Sequence, residues 1–128
     1  MSNVNHEINL ALRTAAGHER AAHAAEATGT KQYEMKMVSA GASVYDAFTL
    51  AIKAAPEYQG RKIDDVAVRR IYSLPRARPW WDEHLKAVKV EGKPATRDWG
   101  IRLIQWHLDP EAAKARRAAA TLRGANNR

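Results

Sequence analysis

HLKAVKVEGKPATRDWGIRLI, residues 84–104, holds two apolar-periodic segments on either side of EGKP, a turn-like piece with Gly92 and Pro94. Before the turn, Trp81, Leu85 and Val88 share one side of a helix, with Trp80 and His84 at its edge. Asp82, Glu83, Lys86 and Lys89 face away. After it, Thr96 suits the cap of a helix that runs through His107. Projected at ~100° per residue, that second helix puts Trp99, Leu103, Trp106 and His107 on one broad side, continued by Ile104 and Leu108. Asp98, Arg102 and Gln105 cluster on the other side, with Arg97 near its margin. Residues 80–90 thus supply a bracing helix, EGKPA the turn, and residues 97–108 a second helix.

Working outward, the pattern is helical nearly throughout. Ser2 or Asn3 can cap a first helix with the stripe Val4, Ile8, Ala11, Leu12 and Ala15. Beyond Gly17, HERAAHAAEATG keeps helix-forming alanines but no large apolar side chain, so it reads as a weakly packed extension ending near Gly29. KQYEMKMVSA, residues 31–40, fits a strand or a helix and favours the helix, because a lone strand has nothing to pair with. Gly41 breaks the pattern, and Ser43 begins a new helix with the stripe Val44, Ala47, Phe48, Ala51, Ile52 and Ala55, stopped by Pro56. The next helix, from about Asp64 to Ser73, is expected to bury Ile63, Val66, Ala67, Ile71 and Leu74. A linker, LPRARP, then leads to a helix with Pro79 in its first turn. Asp109-Pro110-Glu111 opens a last, alanine-rich helix. The expectation is an all-α single compact domain of five to six helices. Residues 1–30 form an N-terminal helix suited to oligomerisation, and residues 31–128 form the helical core with its basic C-terminal helix.

A chain of 128 residues fits one domain. With no cysteine, a disulfide framework, a thiol nucleophile and a Cys-type zinc site are excluded. No apolar run approaches the ~20 residues of a membrane span, and the N-terminus does not read as a secretory signal. The chain reads as a cytoplasmic protein, in the host cytoplasm if phage-encoded. Its net charge of +7 is unevenly placed. Residues 1–30 carry two basic and three acidic side chains, and residues 31–60 carry three of each. Residues 61–108 carry eleven basic against six acidic, and residues 109–128 five against two. The whole excess lies in the later helices, where a localised basic surface attracts polyanions.

The opening stretch resembles helix-turn-helix DNA-binding modules, including those of small phage packaging and regulatory proteins. That resemblance covers about 25 residues, counted against the two-helix motif length. It implies that the second helix presents side chains to a DNA groove. Arg102 and Gln105 are of the types that make bidentate contacts to guanine and adenine. Lys93, Thr96 and Arg97 sit where a helix start can hold a phosphate. From the residues alone, three roles stay open for the second helix: entering a groove, contacting the backbone, or simply filling the core. Elsewhere, Arg76 and Arg78 lie in a proline-bounded linker with no acid between them, and Lys114, Arg116 and Arg117 line the last helix.

Catalytic chemistry is not suggested. His18 and His23 point ~140° apart on a helix. No paired-histidine metal spacing, phosphate-cradling glycine loop or nucleophile elbow occurs. The expectation is a non-enzymatic nucleic-acid-binding protein without cofactors. Duplex DNA is favoured, single-stranded DNA is a second substrate, and a homo-oligomer would suit symmetric half-sites. The rival reading is a small inhibitor or adaptor whose basic face docks on an acidic protein partner.

Overall fold

The computed structural model describes residues 4–72 and 78–126. Six α-helices and one small hairpin make up these residues, an all-α fold. Helices α1 (Val4–Ala25) and α2 (Thr30–Ala54) pack along their length, joined by a 3₁₀ turn over Glu26–Thr28 and by Gly29. Gly29 has φ of 150°, where a side chain would be strained. The seam between them holds Ile8, Leu12, Val44, Phe48 and Ile52, interleaved with Ala15, Ala40, Ala47 and Ala51, all buried. Small residues at these positions let two long helices approach closely.

The alanine-rich half of α1 is not a weakly packed extension. Ala16, Glu19 and Ala22 are buried along α2. A methyl group suffices where the partner helix is this near, so the missing large side chains signal closeness and not exposure.

Gly41 does not break a helix either: α2 passes through it without interruption. A methyl group there would sit 2.3 Å from the carbonyl oxygen of Leu103 and 2.8 Å from the amide nitrogen of His107. Both are backbone atoms of α5 (Arg97–Leu108). The glycine marks a helix crossing with no room for a side chain.

Helix α3 (Asp65–Tyr72) starts where Asp64 Oδ1 accepts the Ala67 amide at 2.9 Å. Its buried face is Val68 and Ile71, whereas Val66 is 64% exposed, contrary to the stripe expected from the sequence. Val66 lies ~200° around the helix from Val68, so only one of them can face the core. Tyr45 on α2 donates its hydroxyl to Asp65 Oδ1 at the start of α3. Partial burial, aided by that carboxylate, pushes the Tyr45 phenol up to about 12. Helix α4 (Arg78–Lys86) is seated by rings: Phe48 meets Tyr72 at 4.7 Å and Trp81 at 5.0 Å edge-on, and stacks with Trp80 at 5.7 Å.

Between α4 and α5 the chain makes a β-hairpin. Strands β1 (Lys89–Val90) and β2 (Lys93–Pro94) pair antiparallel, with Val90 opposite Lys93. The two loop residues, Glu91 and Gly92, have φ of 53° and 80°, the signature of a type I′ turn. The bracing helix therefore ends at Lys86, and Val88 is buried from the hairpin's approach and not from a helix face. Helix α6 (Pro110–Asn126) follows α5 directly. No helix among the described residues is long and apolar enough to cross a membrane.

Two glycines make opposite predictions. Gly17 lies inside α1 with nothing closer to an added methyl than Arg20, at 3.8 Å. Gly17→Ala should raise unfolding stability by ~0.5–1 kcal/mol through helix propensity. Gly41→Ala, despite the same propensity gain, should lower it by roughly 3 kcal/mol or more, because two backbones must separate. Urea unfolding monitored by circular dichroism reads both. In alkali, the raised Tyr45 pKa means that the neutral phenol is favoured by folding. Its contribution is intact below the ordinary value of 10.0 and is lost as pH rises through about 12. Tyr45→Phe should flatten that part of the stability profile.

Candidate nucleic-acid interface

Helix α5 carries Arg97, Arg102 and Gln105 among the predicted contacts, with Thr96 as its cap, and four features set its position. Thr96 Oγ1 accepts the Trp99 amide at 3.2 Å, capping the first turn. Gly41 admits its backbone at the centre. Arg69 on α3 donates to the carbonyl of Leu108 at its end. Trp99 Nε1 donates to Glu19 Oε1 at 2.8 Å, a buried hydrogen bond linking α5 to α1. Glu19 is the one buried charged residue among the described residues, with His23 Nε2 3.9 Å away. Glu19 is thus part of a packing joint, with the more exposed His23 one helical turn away.

Helix α6 leaves α5 through a tight corner. Asp109 Oδ1 accepts the Ala112 amide at 3.2 Å, Pro110 occupies the first helical position, and Ala113 is buried against the core. The corner brings α6 beside the polar edge of α5. Between α2, α5 and α6 runs a groove of about 190 Å³. Tyr33, Met37 and Trp106 form its floor, and Arg102, Gln105, Arg116 and Arg117 its walls. No carboxylate lines it.

The four wall residues were each expected from sequence to touch nucleic acid, and the fold brings them together. They are not equivalent. Arg117 lies 4.1 Å over the Tyr33 ring and donates to Glu26 Oε1 at 2.8 Å, so it is tied into the structure. Arg102 and Arg116 are exposed, and neither has a carboxylate within 4 Å among the described residues. Gln105 is half-buried, and its side-chain oxygen has no hydrogen-bond partner.

The remaining predicted contacts lie elsewhere. Arg97 is ~140° around α5 from Arg102, and its Nε sits 3.6 Å from Asp82. Asp82, Thr96 and Arg97 line a separate hollow of about 200 Å³ at the start of α5. A phosphate approaching there meets a carboxylate as well as a guanidinium. Lys93 is exposed on the hairpin, and Thr96 already serves as a cap. Lys114 is held between Glu34 at 3.8 Å and Glu111 at 3.3 Å. Arg76 and the side chain of Arg78 lie outside the described residues. The cations therefore do not converge on one continuous face. Arg102, Gln105, Arg116 and Arg117 share the acid-free groove, Thr96 and Arg97 the hollow beside Asp82, and Lys93 and Lys114 line neither.

Tyr33 and Trp106 escaped the sequence reading as site residues. Trp106 was assigned to the apolar side of α5, where it is indeed 5% exposed, and Tyr33 to an ambiguous stretch. Their edge-on contact at 6.1 Å joins segments far apart in the chain, and no local spacing signals it. No group of three or more His, Asp or Glu that could hold a metal occurs among the described residues. Comparison of the chain with protein-family models, curated proteins and solved structures found no match.

The α1–α5 joint predicts a measurable asymmetry. Trp99→Phe keeps an aromatic ring, smaller than the indole, but leaves the Glu19 carboxylate buried without its donor, and should cost ~1.5–3 kcal/mol in urea unfolding. Restoring the balance with Glu19→Leu in the same chain should recover much of that loss.

Proposed function

We propose that this chain is a non-enzymatic nucleic-acid-binding protein, with duplex DNA held by its phosphates along the basic edge of α5 and α6. The observation that carries the reading is the acid-free groove wall, where Arg102 and Arg116 stand exposed with no carboxylate neighbour. Guanidinium groups match phosphate oxygens with a planar fork of donors. Unpaired ones also release counterions when phosphate binds. Lys93, exposed on the hairpin, adds a further cation in the same C-terminal half of the chain, whereas Lys114 is offset by Glu34 and Glu111.

The helix-turn-helix reading is supported by α4 and α5 following one another, with the hairpin as their connector. Its recognition face would be Asp98, Arg102 and Gln105. Gln105 is turned towards α6 in the groove, which favours backbone contact by α5 over full insertion into a major groove.

A salt titration by fluorescence anisotropy with labelled blunt duplex tests this. Each phosphate contact adds about −0.9 to the slope of log K against log salt. Arg102→Ala with Arg116→Ala should make the slope shallower by about 2 and weaken binding at low salt. Arg97→Ala, already matched by Asp82, should change the slope by less. Absence of duplex binding by the wild-type chain at low salt would reject the proposal in favour of the acidic-protein partner.

A further inference from the structure

The groove is built for more than a phosphate. An inorganic anion would use its arginines and leave the apolar floor of Tyr33, Met37 and Trp106 uncovered. A hydrocarbon would cover the floor but leave the Gln105 carbonyl without a donor. A planar ring bearing amino hydrogens and a phosphate uses all three features. The volume fits one such ring: about 190 Å³ here, against the ~150 Å³ of an engineered cavity that holds benzene.

We propose that the groove between α2, α5 and α6 is a mononucleotide site that takes one unpaired base with its phosphate. The base lies against Trp106, beside the Tyr33 ring that Arg117 already covers, and the Gln105 side-chain oxygen accepts a hydrogen bond from its amino or imino group. Arg102 and Arg116 hold the phosphate oxygens. Arg117 fixes the Tyr33 ring from above and, through Glu26, ties α6 to the α1–α2 turn. Ala120, exposed on α6, keeps the entrance open, since a larger side chain there would fill it. The inference deepens the duplex-binding reading, because an unpaired nucleotide at the end of a duplex would sit in the groove while its neighbours meet the same cations. A free nucleotide has the same chemistry, so the two sources need separate arms.

The experiment compares three probes on the full chain at low salt: blunt duplex, the same duplex with a short single-stranded overhang, and the four deoxynucleoside 5′-monophosphates. Duplex affinity is read by anisotropy, and occupancy of the groove by the indole NMR signal of Trp106. The overhang should bind roughly ten-fold tighter than the blunt end, from one stacked base. It should also shift the Trp106 indole signal. Ala120→Phe, at an exposed helix position that cannot unfold the core, should abolish the difference between the two duplexes. Gln105→Leu should reduce that difference, because the base then loses the acceptor for its amino or imino hydrogen.

Equal affinity for blunt and overhanging duplexes, with the Trp106 signal unmoved, would overturn the mononucleotide site and leave duplex binding standing. Monophosphates that shift Trp106 in a chain that binds no duplex would keep the site and reject the duplex reading. Failure of all three probes would reject both.

Discussion

At Gly41 the backbones of α2 and α5 meet with no side chain between them, and the positions of the other elements follow from that contact. With α5 pressed onto α2, Trp99 reaches the Glu19 carboxylate on α1 and Trp106 meets the Tyr33 ring. Arg69 can then cover the last carbonyl of α5 from α3. Each of these joins a different element to α5, and none could form if a methyl group held the two backbones apart. Close-packed interiors do not absorb such a displacement by small shifts. The crossing therefore sets the register of the bundle.

Charge in this molecule is sorted by neighbours more than by number. Arg97, Lys86 and Lys114 each have a carboxylate within 4 Å. Such exposed pairs add little to stability, commonly ~0–1 kcal/mol, but they blunt the field that an anion would feel. Arg102 and Arg116 keep theirs. A phosphate at ~4 Å from one unpaired guanidinium gains between about 1 and 4 kcal/mol across the range from bulk water to a protein surface. Both line the groove between α2, α5 and α6, where no acid in the lining offsets their attraction for an anion.

The small residues have a common explanation. Alanines in the second half of α1 appear in the sequence as weak packing, whereas those along α2 already read as part of a buried stripe. In the fold both sets mark where helices run closest, at the α1–α2 seam, and Ala113 does the same at the α5–α6 corner. A small residue also shapes the groove, because Ala120 leaves open the space that a larger side chain would occupy.

Helix periodicity and punctuation by Pro56, Thr96 and Pro110 determined the all-α class and most helix ends, because these depend on contacts within a turn or two of the chain. Arg102, Gln105, Arg116 and Arg117 were legible as polar side chains of the later helices for the same reason. Tertiary structure alone decided what lies opposite them. Gly41 looked like a break because local propensity cannot report a neighbouring backbone, and Val66 looked buried because a short helix can be rotated without changing its pattern. The division between Arg97, cancelled by Asp82, and Arg102, left free for an anion, depends on which side chains from other helices come within a few ångströms. That proximity is set by how the helices cross, and no spacing along the chain encodes it.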